Sequence, residues 1–246
     1  MGVHYQVAFP YATGVILYIA SAYVYYVYTK TANRALLVLS LGFIFVGTES
    51  VLDGVVQSRL LALAGGSWDK LPPSHLHGML LLDAVRGVFI ILWAMAEVLF
   101  TVYLAGVENR LYTVYIPALI LVAGVAETFA LNFSHITPID RRILISSAGR
   151  VLGILVPVAL ITGFYILIKL WRPLRSLSLL YFALGFIIHG FTLPAYSIAK
   201  EHGAITLGLW YLFGGVVPSL LAAVGAYYLL KEFRLAEAAA AEAAGE

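Results

Sequence analysis

Apolar runs of twenty or more residues alternate along the chain with short segments of Lys, Arg, Pro and polar residues. A bilayer's hydrocarbon core is about 30 Å thick and needs roughly 20 apolar residues of helix to cross it, so each run predicts a membrane-spanning helix. The runs fall near 8–29, 34–58, 78–105, 111–133, 142–170, 176–199 and 205–231. The expectation is an all-α, polytopic protein, a seven-transmembrane-helix bundle over residues 1–234. Residues 235–246, rich in Ala and Glu, read as a cytoplasmic low-complexity tail able to prolong the last helix. The first run reads as a helix rather than a cleaved signal, because Met1 to Pro10 contains neither Lys nor Arg.

Composition sharpens this picture. Hydrophobic residues make up 62% of the chain and charged residues 11%, against about 25% charged in a soluble domain. No stretch remains for a soluble catalytic or signalling domain, so a sensor would need a signalling partner. The formal charge of +2 is too small for a nucleic-acid footprint. With no cysteine there is no disulfide framework, thiolate metal site or thiol nucleophile. Gly-x-Ser-x-Gly, His-Glu-x-x-His and phosphate-loop patterns are absent, which weighs against an enzyme. Two Gln and three Asn suggest a thermophile source, where thermolabile residues are avoided.

Orientation follows from where Lys and Arg fall at the helix ends. Lys30, Arg34, Arg110, Lys169, Arg172, Arg175, Lys231 and Arg234 lie on one side; Arg59, Lys70, Arg141, Arg142 and Lys200 lie on the other. Eight against five places the N-terminus outside and the C-terminus in the cytoplasm of a cell membrane. The run Lys169-Leu170-Trp171-Arg172-Pro173-Leu174-Arg175 suits an anionic cytoplasmic leaflet.

The chain also carries a candidate internal repeat. Leu37–Gly47 in the second helix and Leu180–Gly190 in the sixth match at six of eleven positions without a gap. Gly87, Val88, Leu92 and Ala94 in the third helix align likewise with Gly215, Val216, Leu220 and Ala222 in the seventh. Chance within a small apolar alphabet is the competing explanation. Duplication would give a 3+1+3 parallel plan, an arrangement that elsewhere places substrate sites between repeats.

Charged residues inside a span are costly and usually face the bundle interior. Here they are Glu49, Asp53, Asp83, Arg86, Glu97, Glu127 and Arg150. Glu49 and Asp53 share one helix face, as do Asp83, Arg86, Trp93 and Glu97, because eleven residues at about 100° each return to nearly the same direction. All except Glu97 fall toward the outer side, and Glu97 is a cytoplasmic-side acid. Pairs such as Asp83–Arg86, or Glu49 or Glu127 with Arg150, would neutralise part of this outer cluster. A surplus acid could carry a proton, bind a cation or receive a basic ligand; the competing expectation is that the cluster consists of helix-packing ion pairs.

Histidine adds two candidates. His75 and His77, just before the third helix, are weak metal candidates, since a transition-metal site needs three or four converging ligands. His189 lies deep in the sixth helix, on one face with Thr192 and Tyr196. It could be a hydrogen-bonded core residue, a proton relay or an axial ligand of haem b.

Seven helices, an outside N-terminus, a long second loop and a third helix with Arg86 between Asp83 and Glu97 resemble the layout of microbial rhodopsins. That resemblance implies counter-ion and proton-handling carboxylates on the third helix. The retinal lysine of the seventh helix is missing, since no Lys stands between Thr206 and Leu230, so no retinal Schiff base is expected. The leading expectation is therefore an outward-opening, acid-rich cavity that binds or moves a proton, cation or small ligand. The alternatives are a haem- or quinone-interacting membrane subunit of a respiratory complex and a structural anchor. The expected partners are the lipid bilayer and other membrane subunits, with no nucleic acid.

Overall fold

The computed structural model describes residues 3–66, 70–133, 161, 163–192 and 204–245. These residues are helical throughout apart from short links, with no strand among them. In chain order the helices are α1 (Val3–Thr31), α2 (Arg34–Ala64), α3 (Pro73–Leu104), α4 (Ile116–Phe133), α5 (163–174), α6 (Leu177–Thr192), α7 (Ala204–Tyr211) and α8 (Val217–Gly245). A π-helical turn, Leu111–Tyr115, leads into α4, and a second, Leu212–Val216, joins α7 to α8 in one continuous rod.

Local chemistry sets the ends. The Asn33 side chain accepts from the Ala35 N–H at 3.0 Å and starts α2. Gly65, at φ +60°, closes α2 in the left-handed conformation that favours glycine. Pro72 and Pro73 start α3, as suits residues with a fixed φ and no N–H to satisfy. The second and third helices therefore extend beyond the predicted 34–58 and 78–105 at the Ala64 and Pro73 ends. Helix α8 continues to Gly245, so the Ala/Glu tail prolongs it, as high helix propensity favours. Most of the predicted 142–170 span and the end of 176–199 lie outside the described residues.

Each π turn ends two residues before a proline, Pro117 in one case and Pro218 in the other. A proline inside a helix lacks the N–H of the repeat and its ring presses on the carbonyl four residues earlier. Widening the preceding turn relieves that clash, and such single π turns are the usual form.

Among the described residues, four helical stretches are long and apolar enough to cross a membrane: Val7–Thr31, Arg34–Ala64, Pro73–Leu104 and Ile205–Ala243. Their length and composition suggest a membrane location. Large apolar side chains point outward, with Ile205 81%, Phe191 70% and Leu119 68% exposed, a surface that water would penalise and lipid would not. Helix α1 packs along α2, α2 along α3, and α3 against α4; α6 packs on α8, and α1 also meets α7 and α8. The core includes Leu17, Val24, Leu36, Phe43, Phe100 and Phe182. Phe100 meets Phe182 edge-on at 5.1 Å and stacks on Phe186 at 5.5 Å, bridging α3 and α6.

Two matched glycines, Gly42 and Gly185, each face a neighbouring helix. A Cβ on Gly42 would lie 3.3 Å from Ala96 and 3.8 Å from Trp93 of α3, and one on Gly185 would lie 3.2 Å from the Pro218 carbonyl and 3.7 Å from Leu221 of α8. Leu221 is the repeat counterpart of Trp93 in the alignment that pairs Gly87 with Gly215. Both glycines thus sit where helices approach closely, the role small residues play between membrane helices.

Candidate functional site: a guanidinium among three carboxylates

Consecutive helices α2 and α3 run antiparallel, so the C-terminal half of α2 lies beside the N-terminal half of α3. Glu49 and Asp53 stand one turn apart on α2; Asp83 and Arg86 stand one turn apart on α3. The four converge. Arg86 Nη1 donates to Asp53 Oδ1, Nη2 lies 3.2 Å from Asp83 Oδ1, and Nε lies 3.8 Å from Glu49 Oε1. With every group ionised, three negative charges surround one positive charge.

The cluster is graded in depth. The Asp53 side chain is 4% exposed, Glu49 and Arg86 19% and 20%, and Asp83 33%. Asp83 is therefore the side open to the surroundings. Asp53 is held from further directions: Tyr211 Oη of α7 donates to its Oδ2 at 2.6 Å, and Gln57 Nε2 donates to its Oδ1 at 3.4 Å. Asp53 is thus the anchored member, and Glu49 stands at ion-pair distance beyond direct hydrogen-bond reach of Arg86.

A second polar group lies farther along α3. The Trp93 indole N–H donates to Glu97 Oε1 at 3.1 Å, and Trp93 stacks on His189 with ring centroids 4.6 Å apart and planes 21° apart. All three residues are buried. Trp93 lies seven residues beyond Arg86, about 10 Å along the axis at 1.5 Å per residue. At the other end of the helices, a cleft of about 700 Å³ opens between the α1–α2 link and the α3–α4 link, lined by Asn33, Arg34, Tyr103 and Glu108 among others.

No protein-family model, curated protein or solved structure matches this chain. The site must therefore be read from its own geometry. Of the sequence candidates, Glu49, Asp53, Asp83 and Arg86 come together, and the expected Asp83–Arg86 pair is present. Glu49 meets Arg86, whereas its suggested partner Arg150 lies outside the described residues, as does the Glu127 side chain. Glu97 stands apart from the cluster, beside Trp93. His75 and His77 are exposed in the first turns of α3, and no group of three or more His, Asp or Glu among the described residues could hold a metal ion. His189 packs face-on against Trp93; Thr192, its predicted face neighbour, donates to the His189 carbonyl at 3.1 Å, and Tyr196 lies outside the described residues.

Sequence reasoning missed Tyr211 and Gln57. Gln57 was within reach of it, four residues after Asp53 and so on the same helix face. Tyr211 carried a subtler signal: in the repeat register it is the counterpart of Asp83, and Gly214 the counterpart of Arg86.

Proposed function

We propose that this chain is a multi-pass membrane protein of seven transmembrane helices, with its N-terminus outside and its C-terminus cytoplasmic. Within it, the Arg86 cluster is an outward-opening, acid-rich site that binds or moves a proton, cation or small ligand, in transport or in sensing. The observation that carries this reading is the convergence of Glu49, Asp53 and Asp83 on Arg86. One guanidinium offsets one of the three carboxylate charges and leaves two in excess, with Glu49 the acid held least closely by Arg86. An excess carboxylate in a low-dielectric interior is costly unless a proton, a cation or a cationic group on a ligand joins it. The 3+1+3 duplication belongs to the same proposal, supported by the close helix approach at both Gly42 and Gly185. It would place the cluster where the first unit faces α7 of the second.

The test is flux and binding in proteoliposomes. Proton and monovalent-cation movement is followed for the wild type, Glu49→Gln and Asp83→Asn, together with equilibrium cation binding in detergent. The expected result is that Glu49→Gln abolishes or sharply weakens whichever activity the wild type has. Wild-type activity in both variants, at unchanged thermal stability, would remove the proposal.

A further inference from the structure

Tyr211 reaches Asp53 because of where it falls on the seventh rod. Tyr211 is the last residue of α7, and the π turn Leu212–Val216 follows directly. A π turn holds more residues than an α turn, so it sets the register of everything before it against everything after it. Converting this turn to α geometry would rotate α7 by about 100° per residue of slip relative to α8. Tyr211 would then point away from Asp53.

The contacts around the turn fit one selected register. Trp210 Nε1 donates to the Thr192 carbonyl at 2.7 Å, and Thr192 Oγ1 lies 3.4 Å from the Phe213 carbonyl inside the π turn. Gly214 and Gly215 occupy the turn itself, and a Cβ on Gly215 would come within 2.8 Å of Thr13 on α1. Pro218 supplies the cause, since its ring would clash with the Gly214 carbonyl in a regular helix. Proline, π turn and the Tyr211–Asp53 hydrogen bond form one chain of consequences, running from α8 to the deepest carboxylate of the site.

We propose that Tyr211–Asp53 is a latch between the first three helices and the seventh rod, and that the Pro218-induced π turn is the register device that sets it. With the latch closed, Tyr211 covers Asp53 from the α7 side. Turning α7 about Leu212–Val216 withdraws the hydroxyl and opens the Arg86 cluster toward the outer end of the bundle. Tyr211 and Pro218 are positioning residues in this scheme. What the opening would admit rests on the function proposed above; the latch itself does not.

The chain contains no cysteine, so single thiols can report on opening. Ser50 is buried one turn from Asp53 on α2, and Ser40 is buried farther along the same helix, where it hydrogen-bonds Ser21 at 3.0 Å. Ser50→Cys is the reporter and Ser40→Cys the control, each labelled in detergent with a charged, water-soluble maleimide. Adding Tyr211→Phe or Pro218→Ala is expected to raise the labelling rate at position 50 about tenfold or more and to leave position 40 within about twofold. Tenfold is about 1.4 kcal/mol, near the lower end for a hydrogen bond to a charged acceptor. An unchanged rate at position 50 with Tyr211→Phe would overturn the latch, as would an equal rise at both positions, which would mean general loosening. A rise with Tyr211→Phe but none with Pro218→Ala would overturn the role of the π turn. Should Glu49→Gln and Asp83→Asn leave flux and binding intact while position 50 still opens, the function proposal would fall and the latch would stand.

Discussion

Arg86→Met is the variant with the largest consequence expected from this structure. The substitution keeps most of the side chain's apolar length and removes the one positive charge that, among the described residues, opposes Glu49, Asp53 and Asp83. Three carboxylates would remain within a few ångströms of one another, with Asp53 nearly out of contact with solvent. Removing one partner of a buried ion pair costs about 3–5 kcal/mol because the other is left uncompensated. At about 2–4 °C per kcal/mol for a chain of this size, Tm should fall on the order of 10 °C. Asp83→Asn works in the opposite direction on charge: it removes one of the surplus acids, from the most exposed member of the cluster, and should cost under about 1 kcal/mol. Thermal unfolding of purified protein in mild detergent, followed by tryptophan fluorescence and circular dichroism, measures both. The double variant Arg86→Met/Asp83→Asn should lose less than the sum of the single losses, since it relieves part of the excess negative charge. An Arg86→Met protein no less stable than Asp83→Asn would refute the idea that the guanidinium balances a buried surplus of acid.

Three further outcomes follow from the same packing. Gly14→Ala should destabilise by about 1–3 kcal/mol, the usual range for overpacking, because its Cβ would meet Val51 Cγ2 at 2.7 Å and the Gly47 carbonyl at 3.0 Å; Gly78→Ala, with nothing within 4 Å, should stabilise by up to about 1 kcal/mol through helix propensity, both read as changes in Tm. Glu97→Gln retains an acceptor for the Trp93 indole and should be nearly neutral in the same assay, whereas Glu97→Leu strands that N–H and should cost about 1–3 kcal/mol. For orientation, a cysteine at Ser74 should react with an impermeant maleimide added outside intact cells and one at Glu237 only after permeabilisation; the reverse pattern would invert the proposed topology.

The helices were legible in the sequence because length and apolarity are local properties. The ends of α2 and α3 were less so. Hydropathy fades through Gln57-Ser58-Arg59 and through Pro72–His77, yet backbone hydrogen bonding carries both helices past that point, and only the φ demands of Gly65 and Pro73 stop them. Within the cluster, the i, i+3 pair Asp83–Arg86 follows from helix geometry alone. The Asp53–Arg86 contact does not, because it depends on the relative rotation of two helices. Tyr211 was harder still: it is separated from Asp53 by 158 residues, and its direction depends on a π turn that periodicity of 3.6 residues cannot represent. Pro218 was the visible mark of that departure, since a proline within a long apolar run signals a local break in the regular helix.

Depth separates the two polar groups on α3 in a way that bears on transport against sensing. The Arg86 cluster has a graded approach through Asp83, while Glu97 is buried and bonded to Trp93, which stacks on His189, and one turn on along α3 lies the layer in which Phe100 meets Phe182 and Phe186. Phe100 and Phe182 are essentially without solvent contact, so in the proposed topology a route between α3 and α6 from the outer site to the cytoplasmic side must displace this aromatic layer. Binding and sensing need no such movement; they need only that occupancy of the outer site be felt elsewhere. The Tyr211–Asp53 bond supplies that connection, because a change in the charge of Asp53 or in the position of Arg86 acts directly on the α7 end of a rod that continues through α8 to Gly245. In the proposed topology this gives an outer site joined to a cytoplasmic helix end, and a transport cycle would require a second arrangement of α3 against α6.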